Sequence, residues 1–227
     1  MHSPLVGPAT WTALADELRR RGRSAVVPDL HRGGGAGPFW RRHAEAAADA
    51  LREAPDPLIL VGHSGAGVLL PPIRQSLGRR VHAYVFVDAA LPDATVPRKG
   101  TGAFADHLAA LHAQGRRIPE WTDAELRDLI PDDSLRRALL AELRPQPPEF
   151  WDETVPVFAG WPDAPCAYLR FAPNPSYDAA AAEARRRGWP HRELDGGHFH
   201  MLSDAPAVAD ALIVLAAELA VDRAEER

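Results

Sequence analysis

The stretch Leu58-Ile59-Leu60-Val61-Gly62-His63-Ser64-Gly65-Ala66-Gly67 decides the reading of this chain. Its opening aliphatic run suits a strand buried on both faces. Small residues then surround a single serine, and Val68 to Leu77 return to a helical period. A serine at the apex of such a strand–turn–helix is forced into a strained backbone conformation. Bulk two residues before or after it would strike the strand or the helix, and those positions hold Gly62 and Ala66. The arrangement is a nucleophile elbow, which lifts a hydroxyl clear of the backbone at the end of a strand. Ala66 replaces the usual last glycine of G-x-S-x-G by one methyl, and Gly67 follows it.

Working outward from the elbow, short apolar runs at 24–28, 82–87, 166–171 and 191–194 read as further strands. Helical periodicity covers 11–21, 39–53, 68–77, 178–187 and 205–219. Strand and helix in alternation imply right-handed crossovers and an α/β fold, a mostly parallel sheet with helices on both faces. Between Leu91 and Pro165 the alternation stops, and Thr122-Asp123-Ala124-Glu125 reads as a capping box ahead of Leu126, Leu129 and Ile130. The expected organisation is therefore a core of residues 1–91 and 165–227 with an inserted helical lid at 92–164. Trp121, Trp151 and Trp161 lie in that insertion; Trp121 and Trp151, with Phe199, are the candidate substrate-binding residues.

The bulk composition narrows the function. A chain of 227 residues that is 46% hydrophobic fits one globular domain. A net charge of −5 argues against a nucleic-acid partner, because phosphate contacts need a concentrated basic surface, and the arginine runs at 19–23 and 185–187 are short. The apolar stretch 211–221 is interrupted by Glu218 and falls short of the roughly 20 residues a membrane span needs. No membrane partner is expected, and without a signal-peptide pattern the expected compartment is the cytoplasm. The lone Cys166 has no intrachain disulfide partner, in keeping with a reducing compartment.

A serine hydroxyl needs a base within hydrogen-bond reach. His198, in Asp195-Gly196-Gly197-His198-Phe199-His200, stands in a turn between the last strand and the final helix and supplies one. His198 and His200 suggest a metal only weakly, since no third ligand follows at a recognisable spacing. The glycine cluster Gly33-Gly34-Gly35-Ala36-Gly37 matches no phosphate-binding loop and reads as a loop beside the site mouth. No metal or cofactor is expected.

With these motifs in order, the chain resembles the α/β-hydrolase superfamily, its esterase and hydroxynitrile-lyase-like branch in particular. His2-Ser3-Pro4 with Trp11 is similar to the oxyanion turn, Val27-Pro28-Asp29-Leu30 to the strand end after it, and 85–92 to the strand before the lid. The resemblance implies a Ser64–His198–acid triad. The acid is Asp88, at the end of the strand before the lid, or Asp178, after the strand that follows it; Asn174 stands nearest the usual offset and carries no charge. It implies an oxyanion hole built from the Gly65 N–H and, because Pro4 has no N–H, from the Leu5 N–H or the Ser3 hydroxyl. It further implies a central strand ahead of His2, so the start of the chain is expected to lie upstream of Met1. Ser64 argues against the aspartate-nucleophile dehalogenases and epoxide hydrolases. Phe199, where a hydroxynitrile lyase would carry lysine, argues against that activity.

The implied activity is a cofactor-independent serine hydrolase, cleaving an ester or thioester of a hydrophobic small molecule through an acyl-enzyme. Acyl transfer or cyclisation of a biosynthetic intermediate, or a ligand-binding protein with vestigial activity, are the alternatives. A homodimer is compatible with the sequence.

Overall fold

The computed structural model describes residues 1–33, 36–100 and 102–225. Gly34 and Gly35 of the glycine cluster lie outside the described residues. Four parallel strands, β1 (Ile59–Ser64), β2 (Ala83–Ala89), β3 (Cys166–Ala172) and β4 (His191–Asp195), form a sheet in sequence order. Each crossover carries helices: α1 (Ala9–Arg20) and α2 (Phe39–Leu51) precede β1, and α3 (Leu70–Leu77) joins β1 to β2. The insertion between β2 and β3 contains α4 (Ala103–Ala113), α5 (Asp123–Leu126), α6 (Asp133–Ala141) and α7 (Pro148–Asp152). After β3 come α8 (Asp178–Arg186), then β4, α9 (His200–Ser203) and α10 (Ala205–Glu225).

The period-2 geometry of a strand sorts β2 onto two cores. Ala83, Val85 and Val87 join Leu14, Val208 and Leu215 of α1 and α10 on one face. Tyr84 and Phe86 join Leu51, Ile73 and Ala181 of α2, α3 and α8 on the other. All seven residues of β2 are buried, as a strand covered on both sides requires. The capping box at α5 is present: the Thr122 side chain accepts from the Glu125 N–H, and the Glu125 carboxylate accepts from the Thr122 N–H.

The strand expected at 24–28 is not formed. On the outer side of β1 the His63 N–H donates to the Met1 carbonyl, and no further strand among the described residues pairs there. Backbone without a neighbour has no ladder to join, so an apolar β-branched run such as Ala25-Val26-Val27 stays irregular.

At the elbow, a Cβ on Gly67 would stand 2.1 Å from the Ala90 carbonyl oxygen, backbone that cannot step aside cheaply. Ala66, by contrast, buries its methyl completely among the residues of the α2/α3 core. The requirement for a bare backbone therefore falls on Gly67 as well as on Gly62. The Gly67→Ala variant is expected to lose about 1–3 kcal/mol of stability from overpacking. A thermal melt checks this, at about 2–4 °C for each kcal/mol in a chain of this size.

Candidate active site

The structure brings Ser64, Asp88 and His198 to one end of the sheet. Ser64 ends β1 at φ 56°, in the left-handed region that a side chain occupies only under constraint. The constraint is visible around it. The Ala66 N–H donates to the His63 carbonyl, and the Ala90 N–H reaches the Ser64 carbonyl, closing the turn. Asp88 is also left-handed, at φ 41°, where the β1–β2 register shifts between His63 and Ser64. Tyr168 of β3 clamps that irregularity, its hydroxyl donating to the Ala89 carbonyl at 2.8 Å and accepting from the Ala89 N–H at 3.0 Å. The bulge re-aims the Asp88 side chain at the end of the strand.

The Asp88 carboxylate is fully buried and its Oδ2 lies 2.6 Å from His198 Nδ1. The Asn174 amide donates to the same oxygen at 2.5 Å, and the Phe171 N–H approaches Oδ1 at 3.4 Å. A carboxylate held this way fixes the imidazole's tautomer: Nδ1 carries the proton and Nε2 is free to accept one. His63 supports the arrangement from below. Its ring lies 4.4 Å from the His198 ring, and its Nε2–H donates to the His198 carbonyl at 2.9 Å. Burial holds His63 well below the usual histidine pKa, so it serves as a neutral strut.

Tyr177 connects the serine and the histidine. Its hydroxyl lies 3.0 Å from Ser64 Oγ, and its ring stacks on His198 at 5.2 Å with an interplanar angle of 14°. Burial pushes the Tyr177 phenol up to about 12, so it is protonated at neutral pH. The Ser64 hydroxyl in this arrangement is bonded to Tyr177 and not to His198.

A cavity of about 180 Å³ opens onto Ser64, with Ser3, Leu5, Gly65, Phe150, Trp151 and Tyr177 among its lining residues. Trp121 and Phe199 do not line the cavity: their rings meet edge to face at 5.8 Å within the α1/α10 core, with Phe199 buried. The turn that presents His198 runs straight into α9, which swings the next side chain inward. Trp161 packs on Tyr84, 4.3 Å between ring centroids, in the opposite core. Asp178 is exposed at the start of α8 and pairs with Arg170, so its carboxylate is not directed at His198.

His2 holds the turn expected to carry the oxyanion donors. Its Nε2 accepts from the Leu30 N–H at 3.1 Å, which makes Nδ1 the protonated nitrogen, and Nδ1 donates to the Ser3 carbonyl at 2.8 Å. Complete burial lowers the His2 pKa to about 4 and keeps the ring neutral in this role. The Leu5 N–H, expected to face an oxyanion, points to Ser3 Oγ at 3.4 Å instead.

Residues 2–211 match the sequence model of the Alpha/beta hydrolase family. The chain belongs to that family. The solved structures it resembles are alpha/beta hydrolases too. They include an extracellular alpha/beta-hydrolase from a Paenibacillus species (TM-score 0.66, 16% identity, 95% of this chain and 96% of that one). Tomato methylketone synthase I, as an H243A variant with beta-ketoheptanoate, superimposes at TM-score 0.72 with 15% identity over 96% of both chains. A pyrethroid hydrolase from Sphingobium faniae JZ-2 gives TM-score 0.71 at 18% identity over 95% and 94%. No curated protein matches the sequence. Among the described residues of this alpha/beta hydrolase family member, no helix is long and apolar enough to cross a membrane.

Sequence reading alone missed Tyr177 and the part played by Asn174. Tyr177 sits in a short 3-10 turn, Pro175–Tyr177, whose position over the serine depends on the β3–α8 connection and leaves no mark in the local pattern. Asn174 had a signal: it stands nearest the offset at which the resemblance puts the usual acid.

Proposed function

We propose that the protein is a serine hydrolase that cleaves an ester or thioester of a hydrophobic small molecule. The observation that carries this reading is the 2.6 Å contact between the buried Asp88 carboxylate and His198 Nδ1, beside a serine held at a strained elbow. In the cycle, the Ser64 hydroxyl exchanges Tyr177 for His198 Nε2 as its partner and attacks the carbonyl while His198 takes its proton. Asp88 stabilises the imidazolium. The oxyanion is held by the Gly65 N–H and a second donor from the Ser3–Leu5 turn. His198 then protonates the leaving group, and water, activated by the same imidazole, releases the acid. The helices inserted between β2 and β3 act as the lid, contributing Phe150 and Trp151 to the apolar wall. The buried Cys166 thiol, pushed up to about 12, takes no part in the chemistry and fits a cytoplasmic protein.

A fluorophosphonate probe tests the reading directly, because it labels only an activated serine. Stoichiometric labelling at Ser64 is expected, with none in Ser64→Ala, together with turnover of p-nitrophenyl esters between acetate and decanoate. An unlabelled wild type would sink the hydrolase reading. A ligand-binding role, with Tyr177 locking Ser64 out of reach of His198, would then account better for the structure.

A further inference from the structure

Arg98 is the feature of the cavity that an apolar ester does not explain. It is the first guanidinium beyond β2, and it lines both the cavity at Ser64 and an adjoining one of about 290 Å³ bounded by Leu91, Val96, Pro97 and Val155. Its side chain is only 5% exposed. The backbone around it is fixed: the Arg98 N–H donates to the Glu153 carbonyl at 2.9 Å, and Pro97 bridges to Thr154. The guanidinium lies 4.4 Å over the Phe150 ring.

Its charge is answered by a single ion pair that is longer than a hydrogen bond. The nearest carboxylate, Glu153, approaches Nε only to 3.7 Å, too far for a hydrogen bond. That carboxylate is already engaged at the start of α2, accepting from the Phe39 N–H at 2.5 Å and the Trp40 N–H at 3.1 Å. Arg98 Nε and Nη2 are both buried without a hydrogen-bond partner. Asp93, in the lining of the outer cavity, has one carboxylate oxygen taken by the Thr95 N–H and hydroxyl. Burial draws the Arg98 pKa down to about 10, which still leaves it a cation at neutral pH. A buried cation with unused donors destabilises a fold unless something supplies the acceptors.

We infer that Arg98 is a carboxylate subsite, and that the acyl group delivered to Ser64 is an aliphatic chain ending in a carboxylate. The planar fork of a guanidinium matches a carboxylate in two parallel hydrogen bonds. The apolar lining that the cavity shares among Val68, Ala90, Phe104 and Phe150 suits methylene groups. The inference takes Ser64 as the acylated residue, so it rests on the serine-hydrolase reading and sharpens its substrate from a hydrophobic ester to a dicarboxylic half-ester or half-thioester.

The test has two arms. In the kinetic arm, wild type and Arg98→Met are compared on 4-nitrophenyl half-esters of succinic, glutaric and adipic acid, each against the neutral 4-nitrophenyl ester of equal chain length. Wild type is expected to favour the charged partner at one chain length. Arg98→Met is expected to lower that ratio of kcat/KM about 10- to 100-fold, the worth of hydrogen bonds to a charged group. In the binding arm, Ser64→Ala and Ser64→Ala/Arg98→Met are titrated with the monomethyl esters of the same acids by calorimetry, where no turnover is needed. Binding is expected in the first and not in the second.

A merely structural Arg98 would lower the melting temperature of Arg98→Met and leave the selectivity ratio alone, which overturns the inference. The selectivity ratio decides between the two roles, since Arg98→Met removes the ion pair to Glu153 and the contact with Phe150 in either case. Ester turnover with no charge preference and no binding removes the subsite and leaves the hydrolase. Arg98-dependent binding with no turnover of any ester keeps the subsite and removes the hydrolase.

Discussion

The Asp88→Asn variant is expected to lose about 10⁴-fold in kcat while keeping its fold. The substitution preserves shape, but it reverses the direction of a hydrogen bond. The carboxylate accepts from His198 Nδ1–H at 2.6 Å; an amide in the same place donates to Nδ1 and moves the ring proton to Nε2. An Nε2–H cannot take the Ser64 proton, so the nucleophile remains a hydroxyl. The loss also removes the charge that stabilises the imidazolium. Neighbouring contacts argue that the site survives the change, since the Phe171 N–H still finds an amide oxygen at the position of Oδ1, and a turn of the Asn174 amide lets its oxygen accept from the new Nδ2. Steady-state kinetics on the best p-nitrophenyl ester, with a thermal melt to confirm folding, checks the expectation. The companion Asp178→Asn breaks only an exposed ion pair with Arg170 and is expected to leave kcat within about twofold, as surface pairs contribute little. Equal losses in the two variants would show that the acid has been misassigned.

The contrast between these two aspartates shows what local sequence carries. Strand periodicity is local, and β1 to β4 emerge within three residues of where apolar runs put them. The elbow's signature is local too, because the small residues it needs, Gly62, Gly65, Ala66 and Gly67, stand beside the serine in the chain. The partnership of Asp88 with His198 spans 110 residues and was legible only through the order of motifs along the chain. Contacts with no such order stayed hidden. Tyr177 reaches Ser64 across 113 residues, and the meaning of Arg98 depends on Glu153 being committed to the start of α2. Aromatic residues misled for a related reason: Trp121 and Phe199 satisfy each other in the core, and hydrophobicity alone does not say whether a ring faces a cavity or a neighbour. The run at 24–28 had strand propensity without a strand beside it, and propensity does not supply a ladder.

The second large effect concerns the oxyanion. Pro4 occupies the place where a backbone donor would be expected, and the Leu5 N–H is turned onto Ser3 Oγ at 3.4 Å. A hydroxyl that accepts from Leu5 has its own proton left to give. Ser3 lines the cavity, is 4% exposed, and its Oγ lies 3.5 Å from where a Cβ on Gly65 would stand, next to the other donor. His2 pins the turn through the Ser3 carbonyl, so the hydroxyl is preorganised and costs little to align as charge develops. Ser3→Ala is therefore expected to lower kcat about 10²- to 10³-fold, the usual loss for one oxyanion donor, with KM changed far less. Affinity for an alkyl trifluoromethyl ketone, whose adduct with Ser64 carries the oxyanion, is expected to fall by a similar factor. If both quantities hold steady, Ser3 merely caps the turn, and the Leu5 N–H must rotate into the cavity to serve as second donor. In that case the cost moves to the backbone, and restoring a donor with Pro4→Gly is expected to raise kcat in the Ser3→Ala background.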